Sequence, residues 1–258
     1  MKKSALFLVL ILTFSVLFSC SNDNDSENQL VVKKITEEIF FYNSSEITTE
    51  NFIYENSKLV KSIRSNGDYV TFLYEDNKVV KFIKYNASNE LVGATNLTYN
   101  GNDLVKIEPN AGELRNIFFY QNGKLSSQED SYFNITEYIP TAKREYTFDY
   151  NNNVVQILST GYYQNVSTSK SVYTFDDKNN PLKNMNKYLR LFFSTEGLNG
   201  LSNNNRISQD VYSPISNTTP TNFTYEYIFN SDNYPTTIKK FRQNETLVSN
   251  TTIEYQSN

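Results

Sequence analysis

Few side chains in this chain of 258 residues are able to do covalent or acid–base chemistry. It has no His, no Trp and a single cysteine, Cys20. Without imidazole, Ser-His-Asp and Cys-His catalysis are excluded, as are His-ligated zinc, copper and iron sites. The missing Trp removes a common stacking platform for sugars, although Tyr can substitute. What remains is carboxylates, Lys, Tyr, Ser and Thr. A carboxylate pair could run glycoside hydrolysis, yet no two acidic residues stand out. Asp176-Asp177-Lys178-Asn179-Asn180 and Glu75-Asp76-Asn77 group oxygen ligands, but neither follows the Asp-x-Asp-x-Asp-Gly loop with its distant Glu. No catalytic residue, metal site or cofactor is therefore expected.

Cys20 is placed for a different reaction. Lys2 and Lys3 precede an apolar run from Ala5 to Phe18, broken only by Thr13 and Ser15. The run is shorter than the about 20 residues of a membrane span and has the form of a signal-peptide core. It closes on Leu17-Phe18-Ser19-Cys20, which resembles the lipobox read by the lipoprotein signal peptidase. Phe18 is bulkier than that pattern's usual middle residue. The resemblance implies a cleaved leader over 1–19 and a diacylglycerol on the Cys20 thiol. A lone unmodified thiol would also be a liability in an oxidising compartment. Two or three acyl chains, at about 0.8 kcal/mol per buried CH₂, would hold the chain stably at a membrane. Ser21-Asn22-Asp23-Asn24-Asp25-Ser26-Glu27-Asn28 is polar and acidic, and cannot bury enough surface to fold. Residues 20–29 therefore read as a flexible tether. The same acidic stretch resembles the surface-export signal of Bacteroidota lipoproteins. A periplasmic and a cell-surface location both stay open.

The elements behind the tether come from a repeat. Phe52-Ile53-Tyr54-Glu55-Asn56-Ser57-Lys58-Leu59-Val60-Lys61 recurs as Phe72-Leu73-Tyr74-Glu75-Asp76-Asn77-Lys78-Val79-Val80-Lys81. A third copy is Leu97-Thr98-Tyr99-Asn100-Gly101-Asn102-Asp103-Leu104-Val105-Lys106, and Phe118-Phe119-Tyr120-Gln121-Asn122-Gly123-Lys124-Leu125 is a shorter echo. Looser copies start at Tyr146, Tyr173 and Tyr225, and Thr252-Ile253-Glu254-Tyr255 ends the series. The aromatics fall on every second residue, the period of a strand with one buried face. Each Asn/Asp/Gly/Lys cluster offers the positive-φ positions of a tight hairpin. Aligned in this way, Tyr54, Tyr74, Tyr99, Tyr120, Tyr150 and Phe175 are equivalent. The pattern predicts a meander of roughly 14–17 short strands. The Lys after each Leu-Val (Lys61, Lys81, Lys106) reads as an outward charge that blocks edge-to-edge aggregation. The Tyr/Phe ladder reads as core, with a ligand-holding groove or barrel mouth as the alternative.

The repeated aromatic-x-Tyr-[Glu/Asp/Asn]-x-Asn/Gly-x-Leu-Val-Lys unit resembles the YD (Rhs-type) repeat of large bacterial β-shells and small Bacteroidota lipoproteins. It covers the chain from about Phe52 onward, with Tyr-Glu or Tyr-Asn in place of most Tyr-Asp pairs and without the family's Gly-Arg turn. The resemblance implies hairpin geometry; a shell around a toxin cargo would need a far longer chain. One stretch breaks the pattern. From Pro181 to about 194, Leu182, Met185, Leu189 and Phe192 keep helical spacing, predicting a helix that covers the aromatic face of the sheet.

The expectation is an all-β fold: a curved antiparallel meander, open or barrel-like, forming one β-repeat domain over 30–258, with one inserted helix near 181–194. The net charge is −4, and losing Lys2 and Lys3 with the leader makes the mature chain more acidic, which argues against a nucleic-acid partner. The expected function is that of an outer-membrane lipoprotein, anchored through Cys20, with a non-catalytic binding or structural role. A carboxylate-based glycan-acting enzyme and an accessory subunit of an outer-membrane complex are the alternatives. Protein, glycan and lipid ligands are equally open.

Overall fold

The computed structural model describes residues 29–110, 114–162, 167–195, 200–213, 216–243 and 245–258. Cys20, the leader and most of the expected tether lie outside that range. The described chain begins its first strand at Leu30.

Sixteen antiparallel strands form a meander that closes on itself. They are β1 (Leu30–Phe40), β2 (Ser45–Glu55), β3 (Lys58–Arg64), β4 (Tyr69–Glu75), β5 (Lys78–Tyr85), β6 (Leu91–Asn100), β7 (Asp103–Pro109) and β8 (Arg115–Gln121). The second half comprises β9 (Lys124–Phe133), β10 (Tyr138–Phe148), β11 (Val154–Gly161), β12 (Ser167–Asn179), β13 (Asn204–Ser213), β14 (Ser216–Phe229), β15 (Pro235–Arg242) and β16 (Thr246–Ser257). Each strand pairs with its sequence neighbours, and β1 pairs with β16 around Ile35 and Ile253 to complete a barrel. Closure leaves no edge strand, so the aggregation-blocking role expected for Lys61, Lys81 and Lys106 has no edge to protect. These lysines do point outward: Lys61 lies over the Tyr69 ring at 3.7 Å, and Lys106 pairs with Glu108 at 2.7 Å.

The repeat explains itself strand by strand. Its hairpins turn on residues with positive φ, Asn56 and Ser57, Asp76, Gly101, and Asn122 with Gly123, the geometry that matches strand twist. Beside each turn the returning strand carries one extra residue, a β-bulge that shifts the register opposite Ile53/Tyr54, Leu73/Tyr74, Thr98/Tyr99 and Phe119/Tyr120. A bulge bends the strand and sharpens its twist, and repeating it curls the sheet toward closure. Between hairpins the ladder stops short; β3 and β4 pair only over Lys61–Ile63. The repeat tyrosine takes over there. Tyr74 donates its hydroxyl to the Leu59 carbonyl (2.9 Å), Tyr99 to Val79 (2.6 Å), Tyr120 to Leu104 (2.9 Å) and Tyr255 to Pro235 (2.8 Å). Tyr227 does the same for the Arg206 carbonyl. In the β10 copy the bulge position is Phe148, while Tyr150, aligned with the repeat tyrosines by spacing, is 92% exposed in the turn. The longer Asp149–Asn153 turn accounts for that shift.

A short helix, α1 (Lys187–Thr195), is inserted between β12 and β13. It begins later than Pro181, because Asn186 caps it by accepting from the Tyr188 amide (3.0 Å), and residues 181–184 form turns instead. The helix occupies the barrel interior at the end holding the tight turns. Phe192 packs at a tilt against Phe82 (4.4 Å), Phe193 meets Phe52 edge-on (5.6 Å), and Tyr188 meets Tyr99 edge-on (4.7 Å). Leu182, Met185 and Leu189 are buried with Leu59, Val79 and Leu104 in one core cluster. Polar clamps seat the insert on the turns: Asn186 donates to the Asn77 carbonyl, and Lys187 and Tyr188 both donate to that of Asn102. Gly200 passes so close to the helix that a Cβ there would collide with the Arg190 carbonyl. Arg190 fastens the return by donating to the Gly200 and Ser202 carbonyls (2.8 and 2.7 Å), and burial holds its guanidinium below the usual range.

Candidate functional site

Facing residues of paired antiparallel strands share a face, and successive residues alternate. The buried phenylalanines Phe52, Phe72, Phe82 and Phe118 therefore mark the inner face, and the registers assign the rest. Outward positions near mid-strand carry Lys34, Lys61, Lys81, Lys143, Glu145, Lys170, Asp210, Glu226 and Lys239. Exposed apolar residues such as Ile47, Leu73 and Ile228 are interspersed among them. The outside of the barrel is a mixed, charged surface and the inside is aromatic, the reverse of a membrane-spanning barrel, which carries an apolar outer band.

Inside, the two ends differ. The helix and the repeat aromatics fill the end with the tight turns, so the ladder is core there. Toward the other end the inward positions turn polar. A cavity of about 160 Å³ is lined by Ile35, Glu37, Asn205, Arg206, Tyr225, Tyr227 and Lys240, among others. A larger space of about 590 Å³, lined by Glu37, Glu46, Glu50 and Arg64, meets it along Ile35 and Glu37.

The most organised feature of this lumen is a ladder of cations and rings across β12–β15. Arg206 lies over Tyr173 at 4.2 Å, Lys240 over Phe223 at 4.4 Å, and Tyr225 stands 5.9 Å from each cation. Cation–ring contacts of this kind hold a guanidinium or ammonium in place without neutralising it. Tyr225 donates to Gln209 Oε1 at 3.0 Å. Burial, together with Arg206 and Arg242, lowers the Lys240 pKa, and Glu37 acts in the opposite sense.

Buried carboxylates elsewhere are already engaged. Asp130 accepts from Asn116 Nδ2 (2.8 Å) and Gln128 Nε2 (2.7 Å) and pairs with Arg144 at 2.6 Å. Asp176, flagged above as a possible metal ligand, accepts from the backbone amides of Lys178 and Asn205 (both 3.0 Å) and organises the exit from β12. Among the described residues no group of three or more acidic or thiol side chains is arranged to hold a metal ion. Arg206, Lys240 and Glu37 were not legible as a site in the sequence, because they lie far apart on the chain and share no motif. Their only sequence trace is inward parity with the repeat aromatics.

No family model matches the chain, and no curated protein matches it in sequence. The likenesses are structural. A porin-like protein from Bacteroides vulgatus is 14% identical with a TM-score of 0.51, over 88% of this chain and 99% of that one. A porin-like protein from Bacteroides uniformis is 11% identical with a TM-score of 0.54, over 88% and 96%. The TcdB2-TccC3-TEV structure is 13% identical with a TM-score of only 0.32, over 84% of this chain and 11% of that one. At these identities the likeness establishes a shared barrel fold and nothing finer.

Proposed function

We propose that the protein is a barrel of the cell envelope, lipid-anchored through Cys20 to the outer membrane, that stands in water and works by binding rather than catalysis. The observation that carries this reading is the charged outer face. A Lys on the lipid face at the bilayer midplane costs roughly 2–4 kcal/mol, and this barrel would bury several. A pore would also need an open lumen, and α1 fills one end of it. Fold likeness to porin-like proteins of Bacteroides supports an envelope location without requiring a span.

Such an anchor would also favour one orientation. Leu30, where β1 begins, lies at the plugged end, because Asn184 of the insert donates to its carbonyl (2.9 Å). A tether over 20–29 reaches at most about 35 Å. An anchor at Cys20 would hold the plugged end toward the membrane and leave the polar end of the lumen facing away from it. Binding fits the chemistry better than catalysis: the chain has no His, and Asp130 and Asp176 are tied into the scaffold.

Cys20→Ala tests the reading. Palmitate labelling should disappear, and the full-length variant should move to the aqueous fraction without detergent. Retention in membranes after an alkaline carbonate wash would instead mean that the barrel itself is embedded.

A further inference from the structure

We propose that the lumen binds a small anion, bearing a carboxylate or a phosphate, between Arg206 and Lys240. The inference rests on the binding role proposed above and names its ligand class.

Four observations meet in the same cavity. First, its charge is unbalanced, since Arg206 and Lys240 line it together with one carboxylate, Glu37. Neither cation has a carboxylate within ion-pair distance among the described residues, although exposed lysines elsewhere on the barrel do. Cations taken out of bulk water without a counter-charge are costly, and a bound anion removes that cost. Second, the guanidinium is held ready. Its Cζ lies over the Tyr173 ring at 4.2 Å, and it reaches Gln209 Oε1 at 3.4 Å and the Tyr225 hydroxyl at 3.5 Å. Third, hydrogen-bonding capacity is left over beside the cavity, because the buried Arg206 Nε and Asn205 Oδ1 have no partner among the described residues. Fourth, the walls are mixed, with Tyr225, Tyr227 and Ile238 facing Ser249 and Thr251. That combination suits a ligand with a carbon frame as well as a charge. The space of about 160 Å³ lies below the about 300 Å³ at which drug-sized pockets begin, so the part of the ligand held between the two cations is a single small unit.

Lys240 acts as the second clamp. Its ammonium is depressed by burial and by Arg206 and Arg242; a bound anion would favour its charged form. Glu37 opposes anion binding and so sets a modest affinity, as a site that releases its ligand requires.

The test is calorimetric titration of the full-length chain in detergent with inorganic phosphate, D-glucuronate and, as a neutral match for the sugar frame, D-glucose. Either anion should bind while glucose does not, and the stronger of the two identifies carboxylate or phosphate. Lys240→Gln should weaken binding at least about tenfold, the scale of a lost charge-assisted bond. Glu37→Gln should strengthen it several-fold. Lys170→Gln, on the outer face, should leave affinity unchanged and control for general electrostatics. No heat from either anion up to about 10 mM, equal binding of glucose, or an affinity unmoved by both Lys240→Gln and Glu37→Gln would overturn the proposal. The Cys20→Ala fractionation is independent of these titrations, so a failed anion site and a failed membrane anchor give different results.

Discussion

The hydroxyl of the repeat tyrosine has a role that the aromatic ring cannot fill. Phe would pack the same space, as Phe148 does, but the carbonyls of Leu59, Val79 and Leu104 would lose the donors that reach across the gap between hairpins. A buried carbonyl left without a partner costs roughly 1–3 kcal/mol. Tyr99→Phe should therefore lower stability by about that amount, read as a shifted denaturation midpoint with an unchanged slope. Tyr54 supplies the contrast. It heads the series, and its hydroxyl is buried with no partner among the described residues. Tyr54→Phe should be neutral or stabilising, since it removes a polar atom whose desolvation nothing repays. If the two variants lost equal stability, the hydroxyl bonds would not be what joins the hairpins. The tyrosines were legible at this scale as a periodic inward stripe, but their bonding partners were not. Those partners lie 15 to 20 residues away in the preceding hairpin, and only strand pairing brings them near.

Among the elements, α1 decides what kind of barrel this is. A sixteen-stranded barrel encloses more space than its own side chains fill, which is why barrels of that size elsewhere carry water. Here an insert of one helix and its flanking turns supplies the missing volume at one end. Leu189 is 1% exposed within that plug, and Leu189→Ala should cost about 2–5 kcal/mol, measured by the same denaturant titration. A loss well under 1 kcal/mol would mean that the helix lies loosely in the lumen. The helical spacing of Leu182, Met185, Leu189 and Phe192 pointed correctly to a covering insert in this stretch. Its start was misplaced because Pro181 suits a first helical turn equally well as a loop, whereas the cap that operates, Asn186, is one of many asparagines in the chain.

For the whole molecule, closure turns local burial into a collective property. Burial raises Tyr74 and Tyr120 from an ordinary value near 10 to about 12, and it raises Tyr99, Tyr227 and Tyr255 as well. A tyrosine that ionises near 10 when unfolded and near 12 when folded favours the folded state below pH 10. That contribution falls as the pH rises from 10 toward 12, because the unfolded chain releases the proton first. The barrel should therefore unfold cooperatively in that alkaline window, with tyrosinate absorbance and loss of β-sheet signal rising together. Full tyrosinate absorbance, from all 20 tyrosines, reached below about pH 11 with the β signal intact would show that these hydroxyls are open to solvent.

The sequence by itself determined the strands, their inner and outer faces and their turns. All of these depend on spacings of two residues and on backbone conformations that Asn and Gly tolerate, and such effects are local. It also held Leu17-Phe18-Ser19-Cys20, the lipobox-like stretch from which the proposed anchor is read. Closure was decided only by the tertiary structure, because an open and a closed meander share one local pattern and differ solely in the pairing of β1 with β16. The lumen belongs to the same class. Arg206 on β13 and Lys240 on β15 stand two strands apart in the meander, but Glu37 on β1 joins them only when the sheet comes full circle, so the enclosed cavity exists only in the finished barrel.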